Sequence, residues 1–152
     1  MDALKLLKDD HGKVKKLLGE LESTTERGVK TRKDLFAKVK RELTVHEAIE
    51  EEIFYPALKE HPKTKEITLE AYEEHHVVDT VMAEIEAVAF DDETWGAKFT
   101  VMKENLEHHI EEEEGEMFKQ AKQVFDRDEL ERLGESMAAR KEQLMKQQRS
   151  AA

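Results

Sequence analysis

The sequence contains no cysteine, only two prolines and only six glycines among its 152 residues. The absence of cysteine excludes disulfides, thiolate metal sites and cysteine nucleophiles, and it agrees with a reducing compartment. Few helix-breaking residues, together with 38% apolar and 40% charged residues, are typical of a helical protein. At this length we expect one domain with a sizeable core.

The sequence also lacks any long hydrophobic run. No stretch approaches the roughly 20 apolar residues of a membrane span, and the first residues, MDALKLLKDDHGK, lack the apolar region of a signal peptide. The net charge is −11, with 36 acidic against 25 basic residues, which disfavours nucleic acid and anionic membrane surfaces as partners. These features predict a cytoplasmic protein that binds neither nucleic acid nor membrane.

Apolar residues recur at steps of three and four in five stretches, which predicts five amphipathic helices. The predicted ranges are about 3–26, 32–60, 64–89, 93–122 and 127–147. Thr64 is the expected N-cap of the third helix, and Asp126 with Glu129 resembles a capping box that starts the fifth. Pro56 is expected to kink the second helix or start a new turn, and the tail from Gln147 is expected to be frayed.

An internal repeat relates the first two helices to the next two. His11 matches His75 at an offset of 64, and the pair His46 and Glu50 matches His109 and Glu113 at an offset of 63. Two such helix pairs predict an all-α, antiparallel up-down four-helix bundle with a pseudo-two-fold axis. We assign residues 1–125 to this bundle and residues 126–152 to an additional C-terminal helix packed on it.

Six polar residues interrupt the apolar stripes of these helices, and they predict a metal site. They are His11, His46, Glu50, His75, His109 and Glu113. A single histidine on an apolar stripe is more often a core residue with a hydrogen-bond partner. Burial of two carboxylates and four imidazoles without a cation would be costly, however, and a dinuclear metal centre would compensate all six groups.

The ligand types narrow the choice of metal. Imidazole and carboxylate without thiolate suit iron, manganese or zinc. Two carboxylates from facing helices can each bridge two metals about 3.5–4 Å apart, which leaves positions open for a small ligand. A structural zinc site fits less well, because such sites are usually closed and rich in cysteine.

Four segments together carry a resemblance to a known family: DH at 10–11, HEAIEEEIFYP at 46–56, EEHHVV at 73–78 and HHIEEEEGEMF at 108–118. Their combination resembles the hemerythrin-like family with its HHE cation-binding motifs, over about residues 5–120. The resemblance implies an up-down four-helix bundle around two non-heme iron ions, with manganese or zinc as weaker alternatives. Carried over position by position, the family motif assigns its ligands to the same six residues.

Two adjacent histidine pairs leave the register of the ligands open. His75 is preferred to His76 because it continues the apolar stripe of its helix, and His109 is preferred to His108 because it aligns with His46. His76 and His108 then lie outside the first ligand set or on the surface.

Further side chains could take part in the site. Glu47 and Asp79 are the additional candidate ligands, and Tyr55 lies near the level of the site, where packing is its more common role. Five more acidic residues are expected to be exposed, although any of them could anchor a ligand histidine through its second nitrogen. They are Glu51, Glu52, Glu111, Glu112 and Glu114.

One position departs from the family pattern and bears on function. Oxygen-carrying hemerythrins have a further histidine one turn after the first on the third helix, where this sequence has Asp79. The resemblance with this departure favours an iron protein that handles peroxide, NO or O₂, including peroxide breakdown at the centre. A sensor or iron-binding module without turnover, and a metal-free helical interaction protein, stay open as alternatives. We expect a monomer or a weak homodimer.

Overall fold

A computed structural model describes residues 1–151 as helices joined by short loops. The α-helices are α1 (Ala3–Glu22), α2 (Val29–Ile49), α3 (Tyr55–Lys59), α4 (Pro62–Glu86), α5 (Trp95–Glu112), α6 (Phe118–Val124) and α7 (Arg127–Ala151). The π-helical segment Glu50–Phe54 joins α2 to α3, and a second one, Glu113–Met117, joins α5 to α6. Residues 1–151 therefore form five continuous helical rods, and no strand is present among them, which confirms the all-α class. In chain order the rods are α1, α2 with α3, α4, α5 with α6, and α7.

The first four rods form the bundle. Helix α1 packs against α2 and α5, and α4 packs against α3, α5 and α6. Helix α7 lies along α1, α2 and the first π-helical segment. The division into a bundle at 1–125 and an added helix at 126–152 stays a prediction, although α7 does begin at Arg127.

The helix ends differ from the predicted ones at several places. Helix α4 starts at Pro62 after an extended His61, because the residue before a proline avoids the helical region. Thr64 is therefore not the N-cap; its buried hydroxyl donates to the carbonyl of Leu58 and ties α4 to α3.

The C-terminal helix begins as predicted and ends later. Asp126 accepts from the backbone N–H of Glu129, and Glu129 accepts in return from that of Asp126, which confirms the capping box. Helix α7 continues to Ala151, beyond the predicted end near 147 and through most of the tail expected to fray. Ala152 lies outside the described residues.

The two π-helical segments begin at equivalent residues of the repeat. The backbone N–H of Tyr55 donates to the carbonyl of Glu50, and that of Phe118 donates to Glu113, both five residues back along the chain. The predicted disturbance at Pro56 is found, but the proline does not account for it, because the second copy has Lys119 at that position. Such π-bulges often occur at functional sites, and here each one starts at a buried carboxylate.

The apolar core is divided into two clusters by a polar layer. Leu4, Leu7 and Phe54 belong to the cluster near α3, α6 and α7, whereas Val14 and Leu18 belong to the cluster at the other end of the bundle. His11 lies between these two groups along α1. The core thus encloses the histidine level from both ends and keeps bulk water away from it.

A close approach of backbone to backbone fixes α7 against the N-terminus. A Cβ atom at Gly134 would meet the carbonyl oxygen of Met1 and would lie 2.7 Å from the backbone nitrogen of Ala3. We therefore expect Gly134→Ala to lower the unfolding free energy by about 2 kcal/mol or more, since neither backbone can yield easily. Thermal unfolding followed by circular dichroism measures this effect.

Gly19→Ala is the matched control, because no heavy atom lies within 4 Å of a Cβ at that exposed helical position. It should raise the stability by up to about 1 kcal/mol. Equal melting temperatures for the two variants would contradict the tight packing of α7 on the N-terminus.

Candidate metal centre

The six predicted ligands lie together in one buried layer across the four rods. Each has 5% or less of its surface exposed: His11, His46, Glu50, His75, His109 and Glu113. Each of the four rods brings one histidine from an α-helix, and the two carboxylates stand at the first residues of the π-helical segments. The helix period accounts for this convergence, because a step of four residues keeps a histidine and a carboxylate on one face.

Glu50 contacts one histidine of its own rod and one of α4. Its Oε1 lies 3.1 Å from Nε2 of His46 and 3.2 Å from Nε2 of His75. Glu113 repeats this arrangement on the other side, where its Oε1 lies 3.1 Å from Nε2 of His11 and its Oε2 lies 3.2 Å from Nε2 of His109.

The four imidazoles form two pairs. The ring centroids of His11 and His46 are 4.9 Å apart, and those of His75 and His109 are also 4.9 Å apart. Glu50 therefore contacts one ring of each pair, and so does Glu113. This is the arrangement in which two carboxylates can bridge two cations.

The polar atoms of this layer fit a bound cation better than they fit each other. Seven buried side-chain nitrogen or oxygen atoms of the described residues have no hydrogen-bond partner, and five belong here. These five are Nε2 of His11, Nε2 of His46, both oxygens of Glu50 and Oε1 of Glu113. The contacts of 3.1–3.2 Å lack hydrogen-bond geometry, but donors bound to one metal at about 2.1 Å and at right angles lie about 3 Å apart.

The metal-free layer holds protons at neutral pH. Burial disfavours the charged imidazoles, but the neighbouring carboxylates outweigh it and raise the pKa of His75 to about 9 and that of His109 to about 10. The same balance, with Glu50 and Asp10 as the main partners, keeps the pKa of His46 well above its usual range. Burial opposes ionisation of Glu113, yet its contacts with Glu50 and His109 hold its pKa well below the usual range. A metal ion must therefore displace protons to bind.

Each ligand histidine has a carboxylate at its other ring nitrogen. The Nδ1 distances are 2.7 Å from His11 to Glu114, 3.0 Å from His46 to Asp10, 2.9 Å from His75 to Glu51 and 2.8 Å from His109 to Glu74. Such partners fix the orientation and tautomer of a ligand imidazole and make it a better donor. The expected anchoring role is thus found for Glu51 and Glu114.

Asp10 and Glu74 were not among the predicted anchors, although a signal for them existed. Each stands one residue before a histidine of the repeat, but its carboxylate reaches the histidine of the next rod instead: Asp10 contacts His46, and Glu74 contacts His109. The four outer contacts therefore link the four rods in a ring that follows the pseudo-two-fold symmetry.

Tyr55 belongs to the site rather than only to the packing around it. Its fully buried hydroxyl donates to Oε2 of Glu113 at 2.6 Å and lies 3.3 Å and 3.4 Å from Nε2 of His75 and His109. Burial and the nearby carboxylates raise its pKa well above the usual range, so the phenol keeps its proton. The repeat places Phe118 opposite, where its ring stacks on His11. The two histidine pairs thus have different surroundings.

The structure places the alternative histidines outside the layer. His76 is exposed, and the side chain of His108 is 66% exposed and contacts Glu112. His75 and His109, in contrast, are buried and contact the central carboxylates. The preferred register therefore brings the histidines together, while their role as ligands stays a prediction.

The two additional candidates lie beside the layer. Glu47 is buried near His75 and Glu51, and burial raises its pKa to about 9. Asp79 is exposed, and its negative charge adds to the rise of the Glu47 pKa, but it belongs to none of the potential ligand groups found within residues 1–151. Asp79 thus acts on the layer through Glu47 rather than as a member of a ligand group.

Helix α7 places a positively charged side chain at one side of the site. Lys141 forms an ion pair with Asp10, whose other oxygen contacts His46, and the adjacent Arg140 pairs with Glu52 at 2.7 Å. The C-terminal helix therefore reaches the histidine layer through one carboxylate.

No helix within residues 1–151 carries an apolar stretch of the length and hydropathy that a bilayer span requires.

The fold and the buried histidine and carboxylate layer together define a helical-bundle protein with side-chain groups that could hold a metal cation. More particularly, the chain belongs to the hemerythrin HHE cation-binding domain family, whose model matches residues 2–121. It is 36% identical over 151 residues to the uncharacterized protein Rv2633c of Mycobacterium tuberculosis and to an uncharacterized protein of Mycobacterium bovis. Each alignment covers 95% of this chain and 88% of the relative.

A solved structure gives the same result for the fold. The crystal structure of a hemerythrin HHE cation-binding domain-containing protein from Mycobacterium kansasii, a homologue of Rv2633c, superimposes with a TM-score of 0.87 at 29% identity. The match covers 97% of this chain and 89% of that one. The predicted family and its helical bundle are thereby confirmed.

Proposed function

We propose that this chain is a cytoplasmic non-heme diiron protein that breaks down hydrogen peroxide, with O₂ and NO as further small ligands. His11 and His46 would hold one iron, His75 and His109 the other, and Glu50 and Glu113 would bridge them. Two irons would supply a pair of one-electron carriers able to exchange electrons with a small oxidant or gas. Manganese and zinc suit the same donor types less well for this role.

The observation that carries the proposal is the position of the two carboxylates. Each carboxylate contacts one histidine of the first pair and one of the second at 3.1–3.2 Å, so neither carboxylate can be assigned to one pair alone. Two imidazoles and shared carboxylate oxygens would hold each iron and would leave room for a small ligand. The two apolar clusters around the layer favour small ligands over larger ones.

The surrounding residues prepare the site for proton-coupled chemistry. The outer carboxylates Asp10, Glu51, Glu74 and Glu114 hold the rings in place through Nδ1. Tyr55 holds a proton at a hydroxyl within 3.4 Å of His75 and His109 and donates it in a hydrogen bond to Glu113, so a proton is kept beside the second histidine pair.

The position of Asp79 favours peroxide chemistry over reversible oxygen carriage. The resemblance places a fifth histidine of the oxygen carriers there, whereas here the side chain is an exposed carboxylate that lines the same surface depression as Glu47. One neutral ligand fewer would leave the second pair more open to an incoming small molecule.

The test is the number of peroxide molecules consumed per protein loaded with iron. We expect many turnovers, with one O₂ released for every two H₂O₂ consumed, as disproportionation requires. Oxygen evolution and the loss of peroxide absorbance measure both quantities. Consumption of only one or two equivalents of peroxide per protein would contradict catalytic turnover and would favour the binding or sensing alternative.

A pair of neighbouring histidines provides the matched control. His109→Ala should remove iron and peroxide turnover, whereas His108→Ala should keep both, because only His109 lies in the buried layer. Equal activity of the two variants would contradict the proposed ligand set. Failure of the unmodified chain to retain any metal would instead favour a metal-free helical interaction protein.

A further inference from the structure

Four lysines line one groove of this acidic protein. The groove, of about 540 Å³, lies between the start of α1 and α6. Its charged lining consists of Lys5, Lys8, Lys119 and Lys122 together with Asp2 and Glu114, so basic groups outnumber acidic ones here, against a net charge of −11 for the chain.

Most of these lysines have no carboxylate partner. Lys5 lies 3.5 Å from Asp9, but within residues 1–151 no carboxylate comes within 4.0 Å of the Nζ atoms of Lys8, Lys119 and Lys122. All four side chains are exposed. Their positive charges are therefore available to an external anionic group.

The internal repeat supplies a comparison groove on the other half of the bundle. At the positions equivalent to Lys5, Lys8 and Lys119 it has Leu69, Tyr72 and Pro56. The charged residues that line it are Lys59, Glu66, Glu70 and Glu73. The same backbone thus carries the opposite charge balance on the two halves, and the fold itself does not require the lysines.

The floor of the lysine groove contacts the histidine layer. Glu114 lines the groove and lies 2.7 Å from Nδ1 of His11, and Phe118 lines it and stacks on the His11 ring at 6.3 Å and 13°. A molecule seated in the groove would therefore be separated from His11 by one layer of side chains.

We propose that the lysine groove is the docking surface for an acidic electron-transfer protein. This inference rests on the proposed diiron centre and adds a second peroxide reaction to it, because disproportionation needs no outside electron source, whereas reduction of peroxide by a donor does. In each encounter the donor loses one electron and this protein gains one. Two encounters supply the two electrons that, with two protons, reduce one H₂O₂ to two H₂O.

The chemistry of the groove favours a protein surface over a small anion. Lysine is a hydrated, flexible point charge, and no arginine, with its bidentate fork for oxoanions, lines the groove. Transient redox complexes use small interfaces steered by charge. Distant acidic residues oppose such a complex only weakly, since the screening length is about 8 Å at physiological salt.

The experiment measures binding of a plant-type [2Fe–2S] ferredoxin, a small acidic one-electron donor, by ¹⁵N chemical-shift changes of this protein at about 0.15 M ionic strength. We expect shifts at the start of α1 and along α6, and weaker binding on addition of NaCl. The triple variant Lys8→Glu, Lys119→Glu, Lys122→Glu should bind at least tenfold more weakly.

A second triple variant, Lys30→Glu, Lys33→Glu, Lys38→Glu, is the matched control. It has the same net charge, and these exposed lysines of α2 line neither groove. Its affinity should stay within twofold of the unmodified protein. Equal weakening of both variants, or no ferredoxin binding at all, would overturn the proposal. So would displacement of ferredoxin by inorganic phosphate beyond its ionic-strength effect, which would make the groove a small-anion site.

Two further readouts separate this proposal from the diiron function. Iron content and the absorption spectrum should be unchanged in both triple variants, because no substituted lysine contacts the histidine layer. The rate at which reduced ferredoxin bleaches the iron spectrum should fall tenfold only in the groove variant. If the protein held no iron, the diiron function would fail, while the binding measurement would still decide whether the docking surface exists.

Discussion

Glu50→Ala is expected to strip the protein of its metal and to lower its melting temperature by on the order of 10 °C. Glu50 contacts His46 and His75 on different rods, so its loss removes a bridge between the two histidine pairs. Removal of one partner from a buried charge cluster typically costs about 3–5 kcal/mol, because the other charges keep their burial cost. Elemental analysis and calorimetry of the same sample measure both effects.

Glu111→Ala is the control for this substitution, since Glu111 is an exposed acidic residue two positions before Glu113. It should keep the metal content and melting temperature of the unmodified protein. If Glu50→Ala behaved in the same way, the assigned bridge would be wrong. Glu113→Ala should repeat the effect of Glu50→Ala, because both carboxylates contact one histidine of each pair.

The metal-free protein is expected to lose stability as the pH rises from about 6.5 to 10. The folded state raises the pKa of His75 from 6.5 to about 9 and that of His109 to about 10. Their contribution is therefore complete below pH 6.5 and is lost as the pH passes these folded-state values. Glu47 acts in the same direction, since burial raises its pKa from 4.5 to about 9 and its ionisation opposes folding.

Calorimetry in the presence of a chelator measures this dependence. The melting temperature should fall by on the order of 10 °C between pH 6.5 and pH 9.5. The metal-loaded protein is the control: its imidazoles are unprotonated throughout, so its melting temperature should vary much less over the same interval. A metal-free melting temperature that rose with pH would contradict the protonated histidine layer.

The sequence was sufficient to predict which six side chains form the buried layer. A histidine on an apolar stripe and a carboxylate four residues later can only face the core, and the repeat related the two copies. The same reasoning favoured His75 over His76 and His109 over His108, which burial supports. The capping box of α7 was also predictable, because it depends on two residues three positions apart.

Contacts between rods were harder to predict. The pairing of Asp10 with His46 and of Glu74 with His109 depends on the distance between helices, which no periodicity within one helix reveals. Tyr55 was assigned to packing for the same reason, since its partner Glu113 is 58 residues away along the chain.

Backbone irregularities were also harder to predict from the sequence. The π-helical segments begin at Glu50 and Glu113, whereas the sequence predicts an irregularity only at Pro56, as an effect of the proline. Lys119 at the equivalent position of the second copy shows that another cause operates. Thr64 was assigned as a cap from its residue type, whereas its hydroxyl bonds to Leu58 of the preceding helix.

The most direct test of the diiron proposal is elemental analysis of protein purified without an affinity tag, together with an absorption spectrum of the same sample. The account predicts about two irons per chain and near-ultraviolet bands from ligand-to-metal charge transfer. A protein without metal, or with one zinc and a featureless spectrum, would contradict it. The histidine and carboxylate layer would then serve the architecture of the bundle or another metal, and the redox function would be wrong.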